Sequence, residues 1–134
     1  MLGGNTGRVM TTEATKTPET WRGSDATYAA FAALMRAGKR PGVDFSYQPR
    51  TSEGTTGSAE ADFMFHSPPD LAMQVQEPFH SHRSGISTRG TDVMTKVQLA
   101  GYGVTLIMLG HEKLMQDPDW LIGEALRYRD HSWE

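Results

Sequence analysis

The stretch ADFMFHSPPDLAMQVQ, residues 61–76, most narrows what this chain can fold into. Before Pro68 and Pro69, Ala61, Phe63 and Phe65 alternate with Glu60, Asp62 and Met64; after them, Leu71, Met73 and Val75 alternate with Ala72, Gln74 and Gln76. Successive side chains of an extended chain point to opposite faces, so the pattern predicts two strands, one over about residues 59–66 and one from Leu71. The prolines between them end the first strand and turn the chain. Both glutamines then share the face opposite the aliphatic residues, and Asp62 lies opposite Phe63.

The flanking chain supplies helices and further strands. Ser24 is a good N-cap, and Tyr28, Phe31, Ala32 and Met35 follow at i, i+3, i+4 and i+7, which predicts a helix with one apolar stripe ending near Gly38. Val43, Phe45 and Tyr47 alternate with Asp44 and Ser46 as a half-buried strand closed by Pro49. Residues 51–58, TSEGTTGS, and 81–90 have loop composition. Thr91 can cap a helix whose apolar face is Val93, Met94, Val97 and Ala100, stopped by Gly101 and Gly103. Val104 to Leu109, VTLIML, is a continuous apolar run of strand length, as expected of a central strand covered on both faces. Asp117 and Pro118 then give an N-cap and a proline at the first helical position, opening a helix with Leu121, Ile122, Ala125 and Leu126 toward the core.

The element order is therefore α, β, β, β, α, β, α, an α/β domain over residues 21–134. Residues 1–20 carry no burial pattern and are expected to form a flexible arm. The chain of 134 residues suits one domain. It contains no Cys, which excludes disulfides, thiolate zinc sites and cysteine nucleophiles. No apolar run reaches the roughly 18 residues of a membrane span, so no membrane partner is expected, and nothing resembling a secretion signal follows Met1. Thirteen Lys and Arg against 16 Asp and Glu, a net charge of −3, lack the basic excess of a strong nonspecific nucleic-acid binder.

If the strands over 59–66 and 71–76 are neighbours, Asp62, Gln74 and Gln76 converge on one patch of sheet. A carboxylate facing amide oxygens is a donor set for a hard cation such as Mg²⁺, which activates water and neutralises phosphate charge. The same spacing also fits the solvated face of a half-buried sheet, and both readings are open here. His80 and His82 share a side of an extended segment; they suit a general base near neutral pH, a transition-metal ligand pair, or simple exposure in a polar loop. Arg83 and Arg89 suit phosphate contacts as well as solvated charges.

These residues resemble the PD-(D/E)xK nuclease superfamily, and its very-short-patch-repair endonuclease branch in particular. Ala61-Asp62-Phe63 stands where the superfamily has Pro-Asp-Phe, and Gln74-Val75-Gln76 where it has (Asp/Glu)-x-Lys. Phe79-His80-Ser81-His82 resembles the aromatic and histidine cluster after that strand, while Arg89, Asp92, Lys96 and Leu99-Ala100-Gly101-Tyr102-Gly103-Val104 resemble the branch's following helix and last strand. The resemblance implies a restriction-endonuclease-like αβββαβ core with a mixed central sheet and a C-terminal helix, Mg²⁺ as cofactor, and hydrolysis of a DNA phosphodiester. It further implies Asp62 and Gln74 as metal ligands, Gln76 orienting water or phosphate, His80 or His82 as base, and Arg83, Arg89 and Lys96 on the nucleic acid. The second acid and the lysine of the motif are replaced by glutamines, and the branch's zinc cysteines are absent. The alternative expectation is a non-catalytic protein that keeps the fold and binds protein subunits, as in a phage-like particle; the expected location is accordingly the cytoplasm or such a particle.

Overall fold

A computed structural model of the chain describes residues 16–48, 61–76 and 96–132. Its first helix, α1, spans Asp25–Arg36; Ser24 caps it by accepting a hydrogen bond from the Thr27 N–H. The helix closes with Lys39 N–H bonded to Leu34 C=O and Gly38 N–H to Met35 C=O, with Gly38 at φ +92°. This left-handed closure suits a residue without Cβ. The buried residues are Ala26, Thr27, Ala29, Ala30, Ala32, Ala33 and Leu34, so of the expected stripe Ala32 is buried and Phe31 packs half-buried against the core, while Tyr28 is half-buried and Met35 is exposed. Small alanines let neighbouring elements approach the helix closely, so they outrank the larger side chains for the inward position.

Four strands follow: β1 (Phe45–Tyr47), β2 (Phe63–Phe65), β3 (Leu71–Gln76) and β4 (Thr105–Gly110). They form one mixed sheet in the order β1-β2-β3-β4. β1 and β2 are antiparallel with Phe45 opposite Phe65, β2 and β3 antiparallel with Phe63 opposite Met73, and β3 and β4 parallel with Gln74 opposite Met108. The parallel pair needs a crossover, and residues 96–100 are a helical part of it. After β4 come α2 (His111–Gln116) and α3 (Pro118–Leu126), so two helices stand where one was expected. Asp117 caps α3 by accepting from Trp120 N–H, with Pro118 in the first turn as anticipated.

Both faces of the sheet are covered. On one, Phe45, Phe63, Phe65, Leu71, Met73, Val75, Ile107 and Leu109 pack against α1, Leu114 of α2, and Leu121, Ile122 and Ala125 of α3. On the other, Ala72, Leu106 and Met108 meet Leu99 of the crossover, with Met64 and Val104 at the margin. Leu106 to Leu109 of the VTLIML run are thus buried on both sides, with Thr105 exposed, yet β4 is an edge strand among the described residues. A continuous apolar run reports two covered faces, which helices can supply without a second neighbouring strand.

Other expectations shift locally. Val43 lies in the turn before β1 and is exposed. Ala61 joins the Ala72–Leu99 side and not the Phe63–Phe65 side, because the chain bends at Asp62 and alternation stops there. In the crossover, Leu99 is the buried residue while Val97 and Ala100 face outward; Val93 and Met94 lie outside the described residues, as do residues 1–15 of the proposed arm. No helix among the described residues is long and apolar enough to cross a membrane.

Candidate functional site

The patch is built where β2 and β3 stop pairing. Backbone register brings Phe63 to Met73 and Met64 to Ala72; one step further, Asp62 stands beside Gln74. There the ladder gives way to a side chain, and Val75 N–H donates to Asp62 Oδ2 at 2.8 Å. On its other flank Asp62 stays tied to β1, its carbonyl accepting from Gln48 N–H at 2.9 Å. The carboxylate is therefore held by the sheet itself, between two strands.

Sequence pattern placed Asp62 and Gln74 on a polar face open to solvent, and this is corrected: each is only 2% exposed. The face opposite Phe63 and Met73 is itself covered by Leu99 and its neighbours, so alternation told the two faces apart without telling which was wet. Gln76, at the end of β3, is half-buried. The register and the Val75 bond set Asp62 beside Gln74, and Gln76 lies two positions further along β3. His80, His82, Arg83 and Arg89 lie outside the described residues.

Lys96 is engaged within the protein, its Nζ 2.8 Å from Asp130 Oδ2. The same oxygen accepts from the Met108 N–H at 3.1 Å, and the other oxygen from the Ser132 N–H at 2.9 Å. Asp130 therefore ties the crossover helix, the β4 edge and the C-terminal segment together. Burial pushes its carboxyl up, but the bonds from Lys96, Ser132 and Met108 outweigh that and hold it below the usual range.

A second cluster lies on α3. Glu124 accepts from His131 Nε2 at 2.9 Å and pairs with Arg127 at 3.3 Å and Arg129 at 3.4 Å. The His131 bond, with the charge of Arg129, keeps the Glu124 carboxyl below its ordinary range despite partial desolvation. Among the described residues no three His, Asp or Glu side chains gather as a ligand set for a metal ion.

No family model, no curated protein and no solved structure matches this chain. Whatever the site does must be argued from its own atoms.

Proposed function

We propose that the protein is a divalent-metal-dependent DNA endonuclease of the restriction-endonuclease-like kind, with a reduced ligand set. The observation that carries this reading is Asp62: a buried carboxylate aimed across the break between β2 and β3, beside Gln74. The order of elements supports it, since a helix, three antiparallel strands, a crossover with helix and a parallel fourth strand are what the resemblance implies.

Mg²⁺ commonly takes one or two carboxylates and completes its shell with water and substrate phosphate. Asp62 and the Gln74 amide oxygen fit that modest demand. Bound there, the ion would supply an activated water and charge neutralisation at a phosphodiester. Asp62, with one oxygen fixed by Val75 N–H, presents its charge in a set direction, which saves reorganisation when a substrate arrives. Gln76, nearer the surface, orients water or a phosphate oxygen; His80 or His82 takes the proton; Arg83 and Arg89 contact the DNA backbone. Lys96 joins them only by leaving Asp130.

The test is cleavage of duplex and branched DNA in Mg²⁺ or Mn²⁺ by the parent and by Asp62→Asn. Metal-dependent cleavage that disappears in the variant is expected; cleavage that persists unchanged in Asp62→Asn overturns the assignment of the site.

A second reading rests on Gln74. Its neutral amide is a poorer Mg²⁺ ligand than the acid of the motif, and its burial suits a hydrogen-bonded structural role as well. On this reading the protein is a non-catalytic subunit that binds other protein subunits, in the cytoplasm or in a phage-like particle. Absence of cleavage with every divalent metal, together with self-association in sedimentation, would select it.

A further inference from the structure

Ser46 of β1 and His66, just past β2, are 20 positions apart in sequence, yet Ser46 Oγ and His66 Nε2 lie 2.8 Å from each other. Ser46 pairs with Met64 across the two strands, so its side chain emerges on the face opposite Phe45 and Phe65. That is also the face of Ala72 and Gln74 on β3. The histidine is held by its backbone, since its N–H donates to Asp44 C=O at 2.8 Å. Its side chain is exposed, whereas the two strands beneath it are anchored by the packed rings of Phe45, Phe63 and Phe65. A hydroxyl and an imidazole are thus presented at a defined separation by a rigid sheet.

The surroundings are cationic. Arg40 donates from its backbone N–H to Asp44 Oδ2 at 2.8 Å and from Nε at 3.3 Å. The first of these bonds, helped by the charges of Arg40 and Lys39, keeps the Asp44 carboxyl below its usual range. Both Arg40 and Lys39 thus lie close enough to act on the Asp44 carboxyl. The Arg40 side chain is 70% exposed, so much of its guanidinium faces outward while Nε holds Asp44.

We propose that Ser46 and His66, with Arg40 joined to the pair through Asp44, form a phosphate-contact subsite for the DNA backbone. The proposal rests on the nuclease reading for the identity of the polyanion, and it places one positioning contact away from the reacting phosphate. His66 lies four positions beyond Asp62, at most about 13 Å away at 3.3 Å per residue. A DNA strand rises about 3.4 Å per nucleotide, so the contact falls within about four nucleotides of the phosphate at Asp62. Ser–OH, imidazole and guanidinium are all donors to phosphate oxygen, and such contacts fix register without reading sequence.

The experiment measures binding of a fluorescent 20-base-pair duplex by anisotropy, at a series of salt concentrations and in Ca²⁺ to suppress cleavage, and measures cleavage separately in Mg²⁺ or Mn²⁺. The proteins are the parent, Ser46→Ala, His66→Ala and Arg40→Gln. Loss of one contact should weaken binding by about tenfold and reduce the slope of log affinity against log salt by about 0.9 for a lost cation. Melting temperatures should stay close to the parental value, because the His66 and Arg40 side chains are exposed, Ser46 is half-buried, and surface pairs contribute little. In the cleavage assay His66→Ala should raise KM and leave kcat unchanged. Parental affinity and salt slope in all three variants would overturn the subsite while leaving the cleavage result to judge Asp62. Weakened binding in the variants of a protein that cleaves nothing would sustain the subsite and overturn the nuclease reading. A parent that binds no duplex at low salt overturns the subsite directly.

Discussion

Removing the Asp62 carboxylate tests whether the site is built into the fold. In Asp62→Ala the Val75 N–H, now bonded to Asp62 Oδ2 at 2.8 Å, loses its acceptor at a position where the aspartate itself was 2% exposed. A hydrogen bond to a charged group contributes about 1.5–3 kcal/mol, and a buried donor left unpaired carries a desolvation cost on top of that. We therefore expect Asp62→Ala to lose about 3 kcal/mol. For a folded core of this size that is a fall of at least about 10 °C in Tm. Asp62→Asn retains an amide oxygen that can accept from Val75 N–H, so it should lose about 1 kcal/mol while still removing the charge. Urea unfolding followed by far-UV circular dichroism measures both, with equal m-values expected. If Asp62→Ala is as stable as the parent, or if Asp62→Asn is destabilised as much as Asp62→Ala, the bond to Val75 is not what holds this carboxylate. The contrast also decides which variant probes catalysis: only Asp62→Asn removes charge with the strand junction kept.

Four other outcomes follow from the same geometry. Gly23 has φ +146°, and a Cβ there would run into the Tyr47 hydroxyl and sit 2.7 Å from Thr27 Oγ1; Gly23→Ala should cost about 2–4 kcal/mol by thermal unfolding, and a neutral result would mean the Trp21–Tyr47 contact is not maintained. Tyr128, at φ +65°, donates to Asp70 Oδ1 at 2.6 Å; Tyr128→Phe should lose about 1 kcal/mol, while Tyr128→Gly should be close to neutral because relief of the positive φ offsets the lost bond. Asp130 titrates below its ordinary value when folded, so its stabilisation is complete above the unfolded carboxylate pKa, about 3.9, and is lost as pH falls through the lower folded value; the difference in urea midpoint between parent and Asp130→Asn should be large at pH 7 and shrink toward pH 3, and a pH-independent difference would refute the ion-pair account. Gln74→Glu puts a second carboxylate beside Asp62 in a buried place, so the apo variant should be less stable by at least about 1 kcal/mol, and Mn²⁺ should raise its Tm more than the parent's; equal metal response in differential scanning fluorimetry would count against the cation site.

What the sequence disclosed depended on how local the determining physics is. β3 was legible in full, because Leu71, Met73 and Val75 alternate cleanly with polar or small residues between turn signals. The Asp117 cap and Pro118 of α3, and the Ser24 cap of α1, were legible because capping is chemistry among residues three apart. α2 was missed: it is 6 residues long with Leu114 alone buried, too short to show a period. The inward face of α1 was misread because alanine contributes little to an apolar pattern, although here it lines the closest packing. Asp62 was set beside Gln74 by register arithmetic, but the burial of the two was invisible, since alternation separates the faces of a sheet without telling which is covered. The Ser46–His66 pair and the Asp130 junction were missed because each joins residues distant in sequence, and neither has a local signature.

The position of Asp62 bears on what a carboxylate does at this junction. Had β2 continued in register with β3, backbone carbonyls would satisfy Val75 N–H at no charge cost. Instead the pairing ends at Phe63 opposite Met73, and an ionisable side chain takes over the bond in a buried setting. Burying a carboxylate is among the costlier choices a core can make, and an asparagine would keep most of the strand's hydrogen bonding at the cost of about 1 kcal/mol. On the proposed nuclease reading, a carboxylate aimed between two strands with one oxygen fixed by Val75 N–H is placed to receive a cation. Gln74, neutral and beside it, spares the resting protein the repulsion of a second acid at that depth. On the proposed nuclease reading, a glutamine at position 74 stabilises the empty site at the expense of metal affinity, so the metal dependence of stability in Gln74→Glu, and not its activity alone, separates a weakened enzyme from a non-catalytic subunit.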